Sequence, residues 1–308
     1  MTTVPFAFYD AFTDVAFGGS QAAVVTDAAG LDAGAMQRIA KEIGAPATGF
    51  VTASGKTGGD DWVEARFMSF VTELPMCGHG TLCLVTRMVE LGVLDWRGRD
   101  AFEAALRLPK TTATVRVERR GDGRPEVMLD IKPPKFRHDD LDLDSLVGLL
   151  GIGRNDLHAD LCPETACGDF IHLVLPVSGL AAMGRIAPDF GGLTRFCVEN
   201  GIETVATFCT EVERPGSTIH VRDFCPAVGV AESAAAGTTN SALTSYLIRH
   251  GVVQPDGGGQ IVVQAEQGLE IGRASTIRSL ATMDGGDIAR LQVGGVATRL
   301  IDGYLHLP

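Results

Sequence analysis

The sequence of 308 residues has no CxxC pair, little lysine and no long uninterrupted apolar run. Each shortage excludes something. The seven cysteines, at positions 77, 83, 162, 167, 197, 209 and 225, form an odd set without ligand spacing. That argues against a disulfide framework and against a structural zinc site, so a reducing cytoplasmic setting is expected and no metal. The most apolar stretch, residues 170 to 183, is broken by His172, Pro176 and Gly179, and the first residues, MTTVPFAFYD, lack a basic start followed by an apolar core. Neither a membrane span nor a signal peptide is expected. With 26 Lys+Arg against 38 Asp+Glu the formal charge is −12, and no basic cluster exceeds Arg119-Arg120. Nucleic acid is not an expected partner.

What is present is a chain long enough for two domains, each with its own core. Runs of β type recur at 22–26, 49–53, 64–70, 112–118 and 126–131, and again at 170–177, 205–210, 217–224 and 260–267. Between them lie helical runs. Asp32 to Gly44 opens on a capping Asp, repeats Met36, Ile39, Ala40 and Ile43, and closes on Gly. Further helices are expected over Thr81 to Leu94, Phe190 to Asn200 and Thr238 to Gly251. The Pro-rich, charged segment Lys132 to Asp144 separates two series of strands and helices, which places a domain boundary between residues 120 and 135.

One stretch carries more chemistry than the rest. In PMCGHGTLC, residues 75 to 83, Cys77 and His79 sit on a glycine turn at the start of an apolar helix, a positive helix end. The second half echoes the first. VEARFMSF is followed by Glu73, a turn containing Gly78, Gly80 and Thr81, and a helix; IHVRDFCP is followed by Glu232, a small-residue turn from Ala234 to Thr239, and a helix. Two such helix starts are good cradles for a carboxylate, though each could equally be an ordinary Gly-capped start. Spacing alone does not make Glu73 and Glu232 a catalytic pair, and they are read as structural partners.

The segments YDAFTDVAFGGSQAAVV (9–25), MQRIAKEIGAPATGFV (36–51), ELPMCGHGTL (73–82) and FCPAVGVAESAAAGTTNSAL (224–243) resemble, in order, the signatures of the PhzF-like (phenazine biosynthesis-like) family of the diaminopimelate epimerase-like superfamily. The resemblance implies an α+β fold of two pseudo-symmetric domains, each a curved mixed sheet wrapped around a central helix, with the active site in the cleft between them. The domains would be 1–125, completed by a C-terminal strand at 295–308, and 126–294. It also implies cofactor-free proton transfer next to a carboxylate, a small-molecule carboxylate substrate and a homodimer.

The chain departs from the family pattern at the acid/base positions. Where the pattern has a general acid/base glutamate this sequence has Ala47, after Pro46, and the pattern's second carboxylate falls on Ser233, too weak an acid to act unaided. Ser20 stands where the pattern has an asparagine. Cys77 matches the cysteine of the epimerase and racemase branches, and a helix N-terminus lowers a thiol pKa, so the resemblance makes Cys77 a candidate base with His79 as partner and Ser233 as orienting group or relay. The alternative for Cys77 is a small buried hydrophobe. Backbone N–H groups at Gly78, Gly80 and Thr81, and at Gly237, Thr238 and Thr239, would hold the carboxylate. The expected activity is a shift of a proton and a C=C bond in a small cyclic or branched amino or imino acid, as in a 4-alkylproline antibiotic pathway. A cysteine-dependent epimerase or racemase and a non-catalytic carboxylate-binding protein are the alternatives.

Overall fold

The computed structural model describes residues 2 to 307, which divide into two compact units: residues up to Asp130 together with those from Gly294 onward, and Ile131–Val293. The first contains β1 (Thr2–Ala11), β2 (Ser20–Val25), α1 (Ala33–Ile43), β3 (Ala47–Thr57), β4 (Asp60–Met68), β5 (Glu73–Leu74), α2 (Gly78–Glu90), β6 (Ala101–Leu108), β7 (Thr111–Arg119) and β8 (Pro125–Asp130). The second contains β9 (Lys135–Arg137), α3 (Leu143–Leu149), β10 (Glu164–Cys167), β11 (Ile171–Pro176), α4 (Leu180–Met183), α5 (Phe190–Asn200), β12 (Thr204–Cys209), β13 (Ile219–Cys225), β14 (Val230–Ser233), α6 (Gly237–Arg249), β15 (Gln260–Gln267), β16 (Ser275–Asp284) and most of β17 (Asp287–Gly295). The last strand, β18 (Ala297–Leu307), returns to the first unit and pairs antiparallel with β1 along its whole length. Among the described residues no helix is long and apolar enough to cross a membrane.

In the first unit β2 and β3 are parallel, as are β4 and β6, so each pair needs a crossover; α1 supplies the first and α2 the second. Helix α1 follows its sequence signals closely. Asp32 accepts from the Ala35 N–H, and Gly44 takes the left-handed φ of 72° that ends the helix. It buries only Met36, Ile39 and Ala40. Helix α2 is different, being buried on all sides from Gly80 to Thr86, with β1, β2, β3, β8 and β18 around it.

The second unit repeats this construction. β13 and β15 are parallel, α6 is the crossover, and α6 is buried from Thr239 to Leu247 in a core shared with the strand residues Val174, Ala206, Phe208, Val221, Ile261 and Val263. A helix buried all round keeps its polar side chains by bonding them locally: Ser241 Oγ donates to the Thr238 carbonyl and Ser245 Oγ to the Ser241 carbonyl. Helices α2 and α6 are each 13 residues long and start from N-caps of nearly the same backbone conformation, φ −144° and ψ 110° at Cys77, φ −139° and ψ 116° at Ala236. Both start earlier than the apolar periodicity suggests, because their first residues, Gly78 and Gly237, carry no hydrophobic signal.

Candidate active-site residues at two helix starts

Neither helix start is closed by a side chain. Cys77 and Ala236 make no side-chain capping hydrogen bond, and neither first turn holds an acidic residue. The first N–H groups of each helix have no intrahelical acceptor and present a partial positive charge, which suits a carboxylate. Gly78, Gly80, Gly237, Thr238 and Thr239 supply first-turn N–H groups at the two helix starts, as expected, but the Thr81 N–H donates to the Cys77 carbonyl at 2.8 Å as the first intrahelical bond of α2 and is not open to a ligand. Two of the side chains are also out of reach: Thr81 and Thr239 are fully buried beneath their helices.

At the α2 start, Cys77 is 7% exposed, and burial pushes its thiol up from 9.0 to about 12, with only the Gly80 N–H working the other way. This reverses the expectation of a lowered thiol pKa. The rise corresponds to about 4 kcal/mol against the thiolate. A helix N-terminus supplies at most about 2 kcal/mol. Burial likewise lowers His79 to about 4, so its imidazole is neutral. Sγ lies 3.6 Å from Nδ1 and 3.7 Å from Nε2. Near-equal distances put the sulfur on the plane that bisects the ring through Cε1, where neither ring N–H can aim at it. The pair is thus a protonated thiol beside a neutral imidazole, not a thiolate–imidazolium ion pair.

The strand beneath sets this geometry. A Cβ on Gly80 would lie 3.0 Å from the Phe67 ring and 3.1 Å from Sγ, so the close approach of helix, sulfur and ring requires glycine. Arg66, next to Phe67, holds Glu73 through two hydrogen bonds of 2.8 Å. Of the remaining residues expected in this half, Ser20 opens β2 opposite Ala11, Pro46 is exposed, and Ala47 is fully buried as the first residue of β3, opposite Ala22.

At the α6 start the corresponding slots are filled differently. Arg222 grips Glu232 at 2.9 and 2.8 Å and donates to the carbonyls of Met183 and Ile186, so Glu232, like Glu73, is a structural anchor. The residue after this arginine is Asp223, where the first unit has Phe67, and it meets Thr239, the third helical residue, where the first unit has Gly80. Thr239 Oγ1 donates to Asp223 Oδ2 at 2.8 Å. Burial raises the Asp223 carboxyl from 3.8 to about 6; Thr239, Cys225 and Thr204 pull it back and Glu232 pushes it further. Its Oδ1 is left without a well-formed hydrogen bond. His172, 3% exposed and lowered to about 4 by burial, places Nδ1 2.7 Å from Thr204 Oγ1 and 3.5 Å from Thr239 Oγ1, while its Nε2 has no hydrogen-bond partner. Ser233 is half-buried at the end of β14, directly across the strand pair from Asp223.

His172, Thr204 and Asp223 are the residues that sequence reasoning missed. The available signal was the Arg222-Asp223 doublet inside the apolar run IHVRDFC: opposite charges on opposite faces of one buried strand, each needing a partner.

These helix starts occur in a chain whose residues 9–303 match the family model described as phenazine biosynthesis-like protein. The chain belongs to that family. An uncharacterized isomerase of Mesorhizobium japonicum is 28% identical over the full length of both chains. The trans-2,3-dihydro-3-hydroxyanthranilate isomerase of Pseudomonas chlororaphis is 28% identical, covering 94% of this chain and 95% of its own. In fold, the chain is similar to the PhzF-family phenazine biosynthesis protein of Bacillus anthracis, with a TM-score of 0.87 at 22% identity and full coverage of both chains. The hydroxyproline epimerase of Agrobacterium vitis shares the fold more distantly, with a TM-score of 0.59 at 12% identity over 98% of this chain and 92% of its own.

Proposed function

We propose that this protein is a cofactor-independent isomerase that moves a proton and a C=C bond in a small cyclic or branched amino or imino acid. The observation that carries the reading is the neutral acid/base pair at the open α2 start: a thiol that holds its proton beside an imidazole that has none to spare. A substrate carboxylate accepts hydrogen bonds from the first-turn N–H groups from Gly78 to Gly80, and the same helix end stabilises the extra charge of a dienolate-like intermediate. The carboxylate also raises the basicity of His79, which takes the proton from the adjacent carbon. Cys77 then delivers its proton to the far end of the conjugated system, and return of the imidazolium proton to the thiolate through solvent, once product has left, restores the resting pair. The assignment of roles is therefore His79 as base and Cys77 as acid, with Ser20, Pro46 and Ala47 near the substrate and Ser233 an orienting hydroxyl.

Because Ala47 and Ser233 stand where the family resemblance places carboxylates, the substrate is proposed to differ from that of the hydroxyanthranilate enzyme, with an imino acid of the 4-alkylproline type as the favoured class. A two-thiol epimerase is disfavoured by one observation: the N-cap that answers to Cys77 in the second unit is Ala236. The protein is further proposed to act in the cytoplasm as a homodimer.

The test is proton NMR in D2O with trans-2,3-dihydro-3-hydroxyanthranilate and a set of unsaturated cyclic imino acids. Deuterium entering a ring carbon together with migration of the vinyl signal supports the isomerase. Thermal stabilisation by these compounds without any C–H exchange refutes it and leaves a carboxylate-binding protein.

A further inference from the structure

Beside the first turn of α6 a small recess, with room for about one water-sized group beneath its open mouth, is lined by Lys132, Asp169, Phe170, His172, Thr238 and Ser241. Its wall carries a feature that an ordinary helix start lacks: a histidine almost wholly buried, one nitrogen engaged and the other unpartnered. We infer that His172 is a second acid/base group of this protein, acting on a carboxylate ligand seated at the α6 start, and that Asp223 is its positioning residue.

The chain of hydroxyls dictates how the pair works. When Asp223 is ionised it is an acceptor only, so the Thr239 hydroxyl donates to it at 2.8 Å, and the nearby Thr204 hydroxyl, which favours the charged form, is drawn toward its unpartnered Oδ1. Thr204 Oγ1 then has only lone pairs to offer His172, so the imidazole hydrogen must sit on Nδ1 and point at Thr204 over 2.7 Å. Nε2 is left with its lone pair bare. In that state His172 can take one proton from a ligand carbon: the C–H bond breaks, its electron pair stays on the ligand as a delocalised carbanion, and an Nε2–H bond forms. The imidazolium is stabilised through Thr204 by the Asp223 carboxylate. Return of a proton from Nε2 to the ligand, after exchange with solvent, closes the cycle with water as the only other participant. When Asp223 is protonated, Thr204 is free to donate to Nδ1, the imidazole hydrogen moves to Nε2, and the recess presents a donor instead.

The purely structural account of Asp223 is that it ties down the first turn of α6 through Thr239. The first unit shows that the fold does not need a carboxyl for that purpose, since Phe67 against Gly80 occupies the same slot. A buried acid with a poorly satisfied oxygen is a costly way to fill a space that a phenyl ring fills elsewhere in the chain. The charges facing this arrangement are few. Glu232 and the Cys225 thiol lie near Asp223, while Lys132 and Asp169 both line the recess. Lys132 is the one cation among the recess-lining residues, which suits an anionic ligand.

The inference rests on the isomerase reading for its ligand class, so its test has two independent readouts. The first needs no activity: nitrogen-15 NMR of histidine-labelled protein reports which nitrogen of His172 carries the hydrogen. At pH 7.5 the wild type should show hydrogen on Nδ1, and Asp223→Asn or Thr204→Val should move it to Nε2; Thr204→Val covers the case in which Asp223→Asn fails to fold. The same tautomer in wild type and in both variants overturns the inference. Acetate titrated to 0.2 M, roughly the range for a weak single-group anion, should shift the Nε2 signal, and Lys132→Ala should weaken that response. No shift with acetate overturns the site. The second readout is deuterium incorporation into whichever imino acid the wild type turns over. His172→Gln should lower it about 100-fold or more, and retention within about threefold refutes the acid/base role. If the wild type exchanges no compound, the isomerase reading fails on its own account and the tautomer and acetate results decide the present one.

Discussion

Iodoacetamide should react with Cys77 far more slowly than with Cys162 at pH 8. The two thiols differ in surroundings: Cys162 is exposed and Cys77 is buried beside Phe67, Gly80 and His79. With a pKa of about 12 in place of 9.0, about one Cys77 thiol in 10⁴ is ionised at pH 8, against about one in ten for an ordinary thiol. That is a deficit of about a thousandfold in thiolate. A more basic thiolate is also a better nucleophile, with a Brønsted slope of about 0.4–0.5, which returns about 15- to 30-fold over the same interval. The net expectation is alkylation about 30- to 70-fold slower before any steric hindrance. Peptide mass spectrometry of a pH series from 6 to 10 measures both sites in one sample, and the Cys77 rate should still be rising at the alkaline end. A Cys77 rate equal to that of Cys162 at pH 8, or a plateau below pH 8, would show that the α2 helix end overcomes burial. The thiol would then be the base and His79 its partner.

Three further outcomes can be stated. Replacing Glu232 by Gln leaves the buried Arg222 with only a longer contact to Glu270 at 3.9 Å and should lower the unfolding free energy by about 3 kcal/mol, whereas Glu73→Gln, at a half-exposed pair, should change it by less than about 1 kcal/mol; denaturant titration of both variants measures the contrast, and equal losses would contradict it. The buried triad of His220 with Glu266 and Glu270, each at 2.8 Å, has a sign that can be worked out. Burial works against every charge in it, but hydrogen bonds win: Glu270 and Glu266 raise His220, His220 lowers Glu270, and the Glu213 N–H, His220 and the Arg214 N–H lower Glu266. The His220 contribution is therefore complete below pH 6.5 and lost as pH rises through its raised folded value, while the glutamate contribution is present above pH 4.5 and lost as pH falls through their depressed values. Thermal denaturation of wild type against His220→Gln should show the largest gap between those limits, and a gap that grows steadily above pH 8 would contradict the charge assignment. Finally, Gly80→Ala should reduce isomerisation by at least about tenfold by forcing Phe67 or Sγ to move a few tenths of an ångström, whereas Gly78→Ala, which meets nothing within 4 Å, should leave packing intact.

The legible parts of the fold were those written in local chemistry. Helix α1 could be read from Asp32 to Gly44 because both caps are encoded by residue type, and α5 ran over the expected Phe190–Asn200 with Asp189 as its cap. Strand β6 shows clear alternation of buried and more exposed residues, yet it lay hidden because AFEAALRL also satisfies a helical pattern; pairing with β4 and β7 decides the matter. The candidate site was legible only in outline. Glycine turns and helix starts are local, and the starts of α2 and α6 fell within three residues of those expected. The electrostatics of Cys77 were not, since depth of burial depends on Phe67 and on strands distant in sequence. His172, Thr204 and Asp223 come together only through the register of β11, β12 and β13, which no local pattern specifies.

The pairing of β18 with β1 has a consequence for synthesis as well as for stability. On the ribosome β1 is made early and its partner some 290 residues later, by the register Ala7↔Asp302, with the whole second unit emerging in between. The second unit is continuous in sequence, so it can complete its own fold while translation proceeds, at rates of about 5–20 residues per second. The first unit must wait, its β1 edge open, for roughly the 15 to 60 seconds that the intervening residues take. An unpaired β1 edge is the segment most in need of protection during that interval, and mutations that slow its final closure should show first as a loss of soluble yield rather than of activity.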